Sequence, residues 1–294
     1  MDLTSLKIIK ELLAKYETRP SKGLGQNFLI DKNVLSKIIE ASDLKNTDMV
    51  LEVGPGLGTL TQELAKKAEL VIAVEKDKTV IKILEETLSD FKNVQIIQGD
   101  ILKLDIFKLI SNLKFQISNF KVVANIPYYL TSPLIRKLLE SKNPPKDIIL
   151  MVQKEVAQRI CSKPPDMNLL AVSVQFYAEP KIISHVLKNC FWPAPKVDSA
   201  IIKITPQKEY SIPVDSFFKV VKAGFSQPRK QLGNNLSKIL KIERKKINEW
   251  LQSNSIVPTR RAETLSIENW VLLTKTFSQY KNASYKSVRT DTFI

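Results

Sequence analysis

The sequence predicts a mixed α/β domain built on a parallel sheet, followed by a smaller all-α domain. Three observations lead there. Short β-branched runs alternate with helical periods through the first two thirds of the chain. Three glycines cluster where the first of these runs hands over to a helix. After Thr205–Pro206 the β signal stops and only helical periods remain. A length of 294 residues is enough for two modest domains, each with a real core.

The runs Met49–Val53, Leu70–Val74, Val94–Ile97 and Lys121–Ala124 are short, β-branched-rich and bounded by Gly, Asp, Glu or Asn, the pattern of buried strands. Helical periods at Thr59–Lys67 and Asp77–Leu88 lie between them, which places helices against a parallel sheet. Further strands are expected at Ile148–Val152, Ala171–Tyr177 and Ala200–Ile204, about seven in all. Leu3, Leu6, Ile9 and Leu13 recur at helical spacing ahead of the sheet. Val214–Gly224, Leu232–Leu240, Arg244–Gln252 and Ile267–Tyr280 read as the helices of the second domain. The boundary is expected near residue 205, giving domains 1–205 and 206–294, with Lys281–Ile294 as a loose tail that lacks an apolar period.

Composition removes several function classes. With 44% hydrophobic and 26% charged residues the chain is globular, and it has no stretch of eighteen consecutive apolar residues. Its amino terminus lacks the apolar run of a signal peptide and contains Asp2, Glu11 and Glu17, unlike an acidic-poor transit peptide. Two cysteines, Cys161 and Cys190, make no disulfide framework, and with the single His185 they leave little basis for a metal centre or a His-based catalytic triad. A reducing, cytoplasmic compartment is expected. The net charge of +15 is uneven, because residues 203–294 hold 17 basic and 7 acidic side chains. Within Lys219–Lys246 nine basic residues face only Glu243, with Phe217, Phe218 and Phe225 interleaved. That pattern points to a polyanionic partner, and Lys222, Arg229, Lys230, Lys238 and Lys241 on the helices of the second domain are its candidate contacts.

The glycine cluster is Glu52-Val53-Gly54-Pro55-Gly56-Leu57-Gly58. A dinucleotide fingerprint needs glycine where Thr59 stands, and a P-loop needs a lysine that is missing, so both phosphate-binding patterns fail on spacing. A tight strand–helix turn remains as the plain alternative. The later strands also close on polar residues: Glu75, where a carboxylate can accept both hydroxyls of a ribose, then Asp100, then Asn125. In a parallel sheet all these ends open onto one crevice. At this point the sequence resembles the S-adenosylmethionine-dependent methyltransferases, whose cofactor pattern E-x-G-x-G-x-G with a downstream acid is similar. The fold implied is their Rossmann-like sheet, with the second, smaller all-α domain appended.

Asn125-Ile126-Pro127-Tyr128 is the sharpest chemical element. The exocyclic amine of adenine is a weak nucleophile, but a methyl sulfonium is already activated, so orientation and electrostatics matter more than a strong base. Asn125 Oδ1 and the Ile126 carbonyl can accept the two N–H bonds of the amine and aim its lone pair. Pro127 forces Ile126 into an extended conformation, and Tyr128 offers a face on which a base can stack.

Two more segments, Leu24-Gly25-Gln26-Asn27-Phe28-Leu29 and Phe191-Trp192-Pro193-Ala194-Pro195-Lys196-Val197-Asp198-Ser199-Ala200, flank these elements. In this order, together with N-I-P-Y and E-V-G-P-G-L-G, they resemble the ribosomal RNA adenine dimethyltransferases, in particular the branch acting on small-subunit RNA. The resemblance extends into the second domain through Phe225–Leu232 and Arg261–Ser266. It implies S-adenosyl-L-methionine as cofactor and no metal. Asn27 and Leu29 would close over the methionine end, Gly54 and Gly56 would line the backbone-contacted side, and Glu75 would hold the ribose. Asp100 would take the adenine of the cofactor and Asn125 would bridge cofactor and target. Ile126, Pro127 and Tyr128 would complete the catalytic turn. Phe191 would face Tyr128 across the target base, or else sit in the core. The implied substrate is a pair of neighbouring adenines in a hairpin near the 3′ end of small-subunit ribosomal RNA, each lifted from its stack to be dimethylated. The implied setting is small-subunit biogenesis by a monomer, without a membrane. Large-subunit macrolide-resistance methylases share N-I-P-Y and Q-N-F-L, and protein-glutamine methyltransferases use a related Asn-Pro-Tyr loop. A non-catalytic RNA-binding assembly or transcription factor could also use this fold. The Leu24-Gly25 lead-in, the Trp192–Ala200 stretch, the basic second domain and the intact Glu75, Asp100 and Asn125 weigh against all three.

Overall fold

The computed structural model describes residues 1–21, 23–111, 120–207 and 210–280. The tail expected at Lys281–Ile294 lies outside them. The chain divides into two compact units: Met1–Ala157 with Glu179–Pro206, and Gln158–Ala178 with the chain beyond Pro206.

In the first unit, α1 (Leu6–Lys15), β1 (Phe28–Leu29) and α2 (Lys32–Ser42) precede the sheet. The alternation then runs β2 (Met49–Val53), α3 (Thr59–Ala65), β3 (Leu70–Glu75), α4 (Lys78–Thr87), β4 (Val94–Gln98), α5 (Ile106–Ser111), β5 (Phe120–Asn125), α6 (Thr131–Leu139) and β6 (Ile148–Gln153). After α7 (Lys154–Ile160) and α8 (Leu169–Gln175) come β7 (Ala178–Val186), β8 (Phe191–Trp192) and β9 (Ser199–Pro206). The seven-stranded sheet has the order β4-β3-β2-β5-β6-β9-β7. β4, β3, β2, β5 and β6 are mutually parallel and β9 runs antiparallel to β6. The chain fills one half of the sheet outward from β2 and then returns to β5 on its other side, so the carboxyl ends of β2 and β5 flank a topological switch point. β2, β3 and the body of β5 are buried throughout, the burial expected of strands covered on both faces.

One expected strand is a helix. Ala171-Val172-Ser173-Val174 is β-branched and short, but it belongs to α8, whose start Asn168 caps by accepting the Ala171 N–H at 3.0 Å. Ala171, Val172 and Phe176 are buried in the core of the second unit, and that packing outweighs a weak β preference. The strand lies just beyond, in β7, at the sheet edge, where half-buried and exposed positions alternate and Pro180 is tolerated. Accordingly Gln158–Ala178, expected with the first domain, packs within the second unit.

The second unit carries α9 (Val214–Gly224), α10 (Leu232–Leu240), α11 (Arg244–Ser253) and α12 (Ile267–Tyr280) around Phe217, Phe218, Trp250 and Trp270, all buried. Phe217 stacks on Phe176 with ring centroids 4.0 Å apart, and Phe225 packs against Trp270. Phe217 and Phe218 are core, so they lend no stacking surface to the basic run, and the partly buried Phe225 packs against that core. Their helical spacing among lysines reflects amphipathic helices.

At the amino ends of the central strands a charge is buried. Lys121 on β5 donates to the carbonyls of Ser42 and Asp43 at 3.0 and 2.6 Å and pairs with Asp48 at 2.9 Å, tying the end of α2 and the approach to β2 onto β5. Burial pushes the Asp48 carboxyl up, but the Lys45 N–H and the Lys121 ammonium outweigh it and hold its pKa below the usual range. Removing one partner strands the other, a loss of about 3–5 kcal/mol. Lys121→Met should therefore lower the unfolding midpoint of the first unit markedly in a thermal melt; a midpoint equal to that of the wild type contradicts this role.

Candidate active site

The carboxyl ends of β2, β3, β4 and β5 open into one cleft. It is lined by every catalytic and cofactor-binding candidate named above: Asn27, Leu29, Gly54, Gly56, Glu75, Asp100, Asn125, Ile126, Pro127, Tyr128 and Phe191. After β2 the chain turns through Gly54, Gly56 and Gly58, all left-handed at φ +67°, +59° and +94°, and enters α3. Gly56 is needed twice, for its backbone angle and because a Cβ there would come within 3.3 Å of the Phe28 ring.

Three of the motifs that lie apart in sequence meet here. β1 and β8 pair antiparallel, Leu29 opposite Phe191 and Phe28 opposite Trp192, so the Q-N-F-L segment and the Pro-rich loop form one ribbon at the cleft wall. The L-G-Q-N-F-L loop also packs on the N-I-P-Y turn, where a Cβ on Gly25 would lie 3.1 Å from Pro127 Cβ. Asn125, the last residue of β5, donates its amide N–H to the Asn27 carbonyl at 3.3 Å. Its Oδ1 meets no protein donor among the described residues. Tyr128 opens a 3-10 turn and is half-buried, with its hydroxyl 2.8 Å from Ser199 Oγ. Phe191 lines the cleft while only 3% exposed, as part of the core containing Leu29, Val34 and Ile201. It is thus a core residue that also forms cleft wall.

The acids differ in state. Glu75 is buried, which raises its pKa, although its Oε1 accepts the Lys76 and Asp77 N–H groups at 2.7 and 2.8 Å and the Gly56 N–H faces it too. Asp100 is pushed up by burial, but the Leu102 N–H at 3.0 Å and the Lys76 ammonium at 3.1 Å outweigh this and hold it below the usual range. Glu52, Lys76 and Tyr129 line the cleft although the sequence patterns give them no role. Tyr129 is 54% exposed, and its only signal in the sequence is the doubled tyrosine. Glu52 is 1% exposed, and desolvation pushes its pKa to about 8. The Thr61 hydroxyl faces Glu52 and tempers the shift without reaching hydrogen-bond geometry, and Glu75 adds like-charge repulsion. Desolvation thus favours the neutral acid form of Glu52, whose Oε2 has no partner among the described residues.

The second-domain candidates do not line this cleft. Arg229 and Lys230 lie in the loop between α9 and α10, not on a helix as expected. Lys238 is in the last turn of α10 and Lys241 ends it in a left-handed conformation. These four are exposed, whereas Lys222 on α9 is half-buried.

Sheet order, glycine turn and acid-lined switch point define the Rossmann-like methyltransferase class. Within it the chain belongs to the ribosomal RNA adenine dimethylases, whose family model matches residues 18–279. It is 46% identical over 277 residues to a ribosomal RNA small subunit methyltransferase A of Alkaliphilus oremlandii, covering 92% of this chain and 96% of that one. Among solved structures it is similar to a dimethyladenosine transferase from Plasmodium falciparum, with TM-score 0.72, 27% identity, and 86% and 98% of the two chains covered. The 23S rRNA methyltransferase ErmE is similar at TM-score 0.70 and 26% identity, with 86% of this chain and all of that one covered.

The raised pKa of Glu52 has a consequence for stability. Its folded value, about 8, lies above the ordinary 4.5. The unfolded chain therefore releases this proton first, and the contribution present below about pH 4.5 is lost as pH rises to about 8. Glu52→Gln should become more stable than wild type as pH increases through that window, by a few kcal/mol at its upper end. Denaturant melts at several pH values check this; curves that stay parallel contradict a buried neutral acid.

Proposed function

We infer that this chain transfers methyl groups from S-adenosyl-L-methionine to N6 of two adjacent adenines in a hairpin near the 3′ end of small-subunit ribosomal RNA, giving N6,N6-dimethyladenosines. The observation that supports it most is the placement of the N-I-P-Y turn at the same strand-end cleft as Glu75 and Asp100. The small-subunit reading is favoured by the higher identity to a relative named for that subunit than to a 23S enzyme.

The cleft suits the cofactor. Its glycine turn leaves backbone open where a side chain would collide with Phe28, its buried carboxylate at Glu75 is an acceptor for ribose hydroxyls, and Asp100 can take an exocyclic amine. Asn27 and Leu29 cover the end next to Asn125, and Gly54 and Gly56 line the turn. When bound, S-adenosylmethionine supplies a methyl group already activated on a sulfonium. Asn125, held by Asn27, keeps Oδ1 free to accept an N–H of the target amine, while the Ile126 carbonyl accepts the other. The ring of Tyr128 stacks on the base, and Phe191 forms the apolar wall that excludes water. The exposed Arg229, Lys230, Lys238 and Lys241, with Lys222 on α9, bind RNA phosphates outside the cleft. One chain supplies the full set of cleft residues, in keeping with a monomer acting in the cytoplasm during small-subunit biogenesis.

These roles separate by experiment. On small subunits lacking the modification, Asn125→Ala should cut the single-turnover rate by about a hundredfold or more with RNA binding nearly unchanged, the scale of losing an oriented catalytic group. Glu75→Ala, checked for folding by circular dichroism, should instead weaken cofactor binding in a calorimetric titration. Wild-type rates for the first, or wild-type affinity for the second, remove that residue from its role.

For the basic surface, log affinity for the subunit should fall with log salt at a slope of about 0.7 to 0.9 per phosphate contact. Replacing Arg229 and Lys230 with Ala should weaken binding and flatten that slope by about one to two units, leaving cofactor affinity unchanged. An unaltered slope assigns these two residues to solvated surface.

A further inference from the structure

The Pro-rich segment after Phe191 has no part in the roles above beyond its first residue, yet it ends in a contact with the catalytic turn. The Tyr128 hydroxyl lies 2.8 Å from Ser199 Oγ, and no other partner for it is found among the described residues. The tyrosine oxygen lies on the axis of the second side-chain torsion, so one hydrogen bond there fixes the first torsion and with it the direction in which the ring projects.

Ser199 is well placed to be that fixed point. It is completely buried and begins β9, where it pairs in register with Gln153 of β6. Its neighbour Asp198 is held on two sides: the carboxylate accepts the Lys188 N–H at 3.0 Å, and the carbonyl accepts the Lys154 N–H at 3.0 Å. At the other end of the loop, the pairing of Phe191 and Trp192 with Leu29 and Phe28 anchors it to the Q-N-F-L segment. The loop is therefore tied at both ends, and its last polar atom meets the ring at the cleft. Ser199 does not itself line the cleft.

We propose that Ser199 is a positioning residue for methyl transfer: its hydroxyl holds the Tyr128 ring at the place where the target adenine stacks on it. The proposal rests on the stacking role of Tyr128. Without the bond the ring remains but samples other directions about its first torsion, so the base is less often aligned with the methyl donor. The effect falls on the rate of transfer and not on cofactor affinity.

The test uses the full chain with unmodified small subunits, saturating cofactor and saturating RNA. Single-turnover rates are compared for Ser199→Ala, Ser199→Thr, Tyr128→Phe, the Ser199→Ala/Tyr128→Phe double variant and Tyr128→Ala, with cofactor affinity measured alongside. Ser199→Ala and Tyr128→Phe should each slow transfer about three- to tenfold, the scale of one neutral hydrogen bond. The double variant should be no slower than either single one, because all three lack the same bond. Ser199→Thr, which keeps the hydroxyl, should recover most of the rate, and cofactor affinity should be that of wild type throughout. Wild-type rates for Ser199→Ala, or losses that multiply in the double variant, overturn the proposal. If Ser199→Ala does not fold, Tyr128→Phe removes the same bond from the cleft side, and its wild-type rate overturns the proposal equally. Tyr128→Ala separates the two levels: a wild-type rate there removes the stacking role itself. A slow Tyr128→Ala beside fast Tyr128→Phe and Ser199→Ala keeps the stacking and removes Ser199.

Discussion

The chemistry of the first unit depends on the register of four parallel strands. Val53 lies opposite Val74, Val74 opposite Ile97, and Leu51 opposite Val122, so β2, β3, β4 and β5 reach the same edge of the sheet together. That alignment brings Gly54, Glu75, Asp100 and Asn125, spread over more than seventy positions of sequence, around one cleft. A slip of one residue in any strand would turn its side chains to the opposite face and scatter the set. The buried Lys121–Asp48 pair works at the other end of the same strands, where it fixes β5 against the approach to β2.

Electrostatically the molecule is divided. The cleft is lined by Glu52, Glu75 and Asp100, with Lys76 as the one cation among its described residues, whereas the chain as a whole carries +15. An acid-lined cleft repels phosphate, so a nucleic acid can place only an uncharged base there. The exposed Arg229, Lys230, Lys238 and Lys241 form positive surface of the kind to which a phosphate backbone is attracted. Burial favours the neutral form of Glu52, which moderates the charge the cleft would otherwise hold.

Much of this architecture is legible in the sequence, for physical reasons. Buried parallel strands announce themselves as apolar runs, and the polar residue ending each run marks the cleft, so the linear pattern alone places Glu75, Asp100 and Asn125 together. What periodicity does not resolve is a short β-branched segment buried on all sides: Ala171–Tyr177 carries no period, and the cap at Asn168 together with its core partners decides for helix. The edge strand Ala178–Val186 gives no apolar run because its outward face is polar and it contains Pro180. Nor does a linear pattern show that Phe217 and Phe218, interleaved with lysines, point into a core. Glu52 stands out in the sequence only as part of a glycine motif, because its unpartnered oxygen and raised pKa arise from contacts that spacing does not encode. The pairing of Leu29 with Phe191, which joins two distant motifs, is likewise a product of tertiary structure.

The most direct measurement of the central claim is to incubate the protein with S-adenosylmethionine labelled on its methyl group, using small and large ribosomal subunits that lack the modification, and to map the labelled nucleotides. The expected result is label confined to two neighbouring adenines in a hairpin near the 3′ end of the small-subunit RNA, each with two methyl groups on N6. Label on large-subunit RNA, or no transfer to either subunit by a folded protein that binds the cofactor, would contradict it.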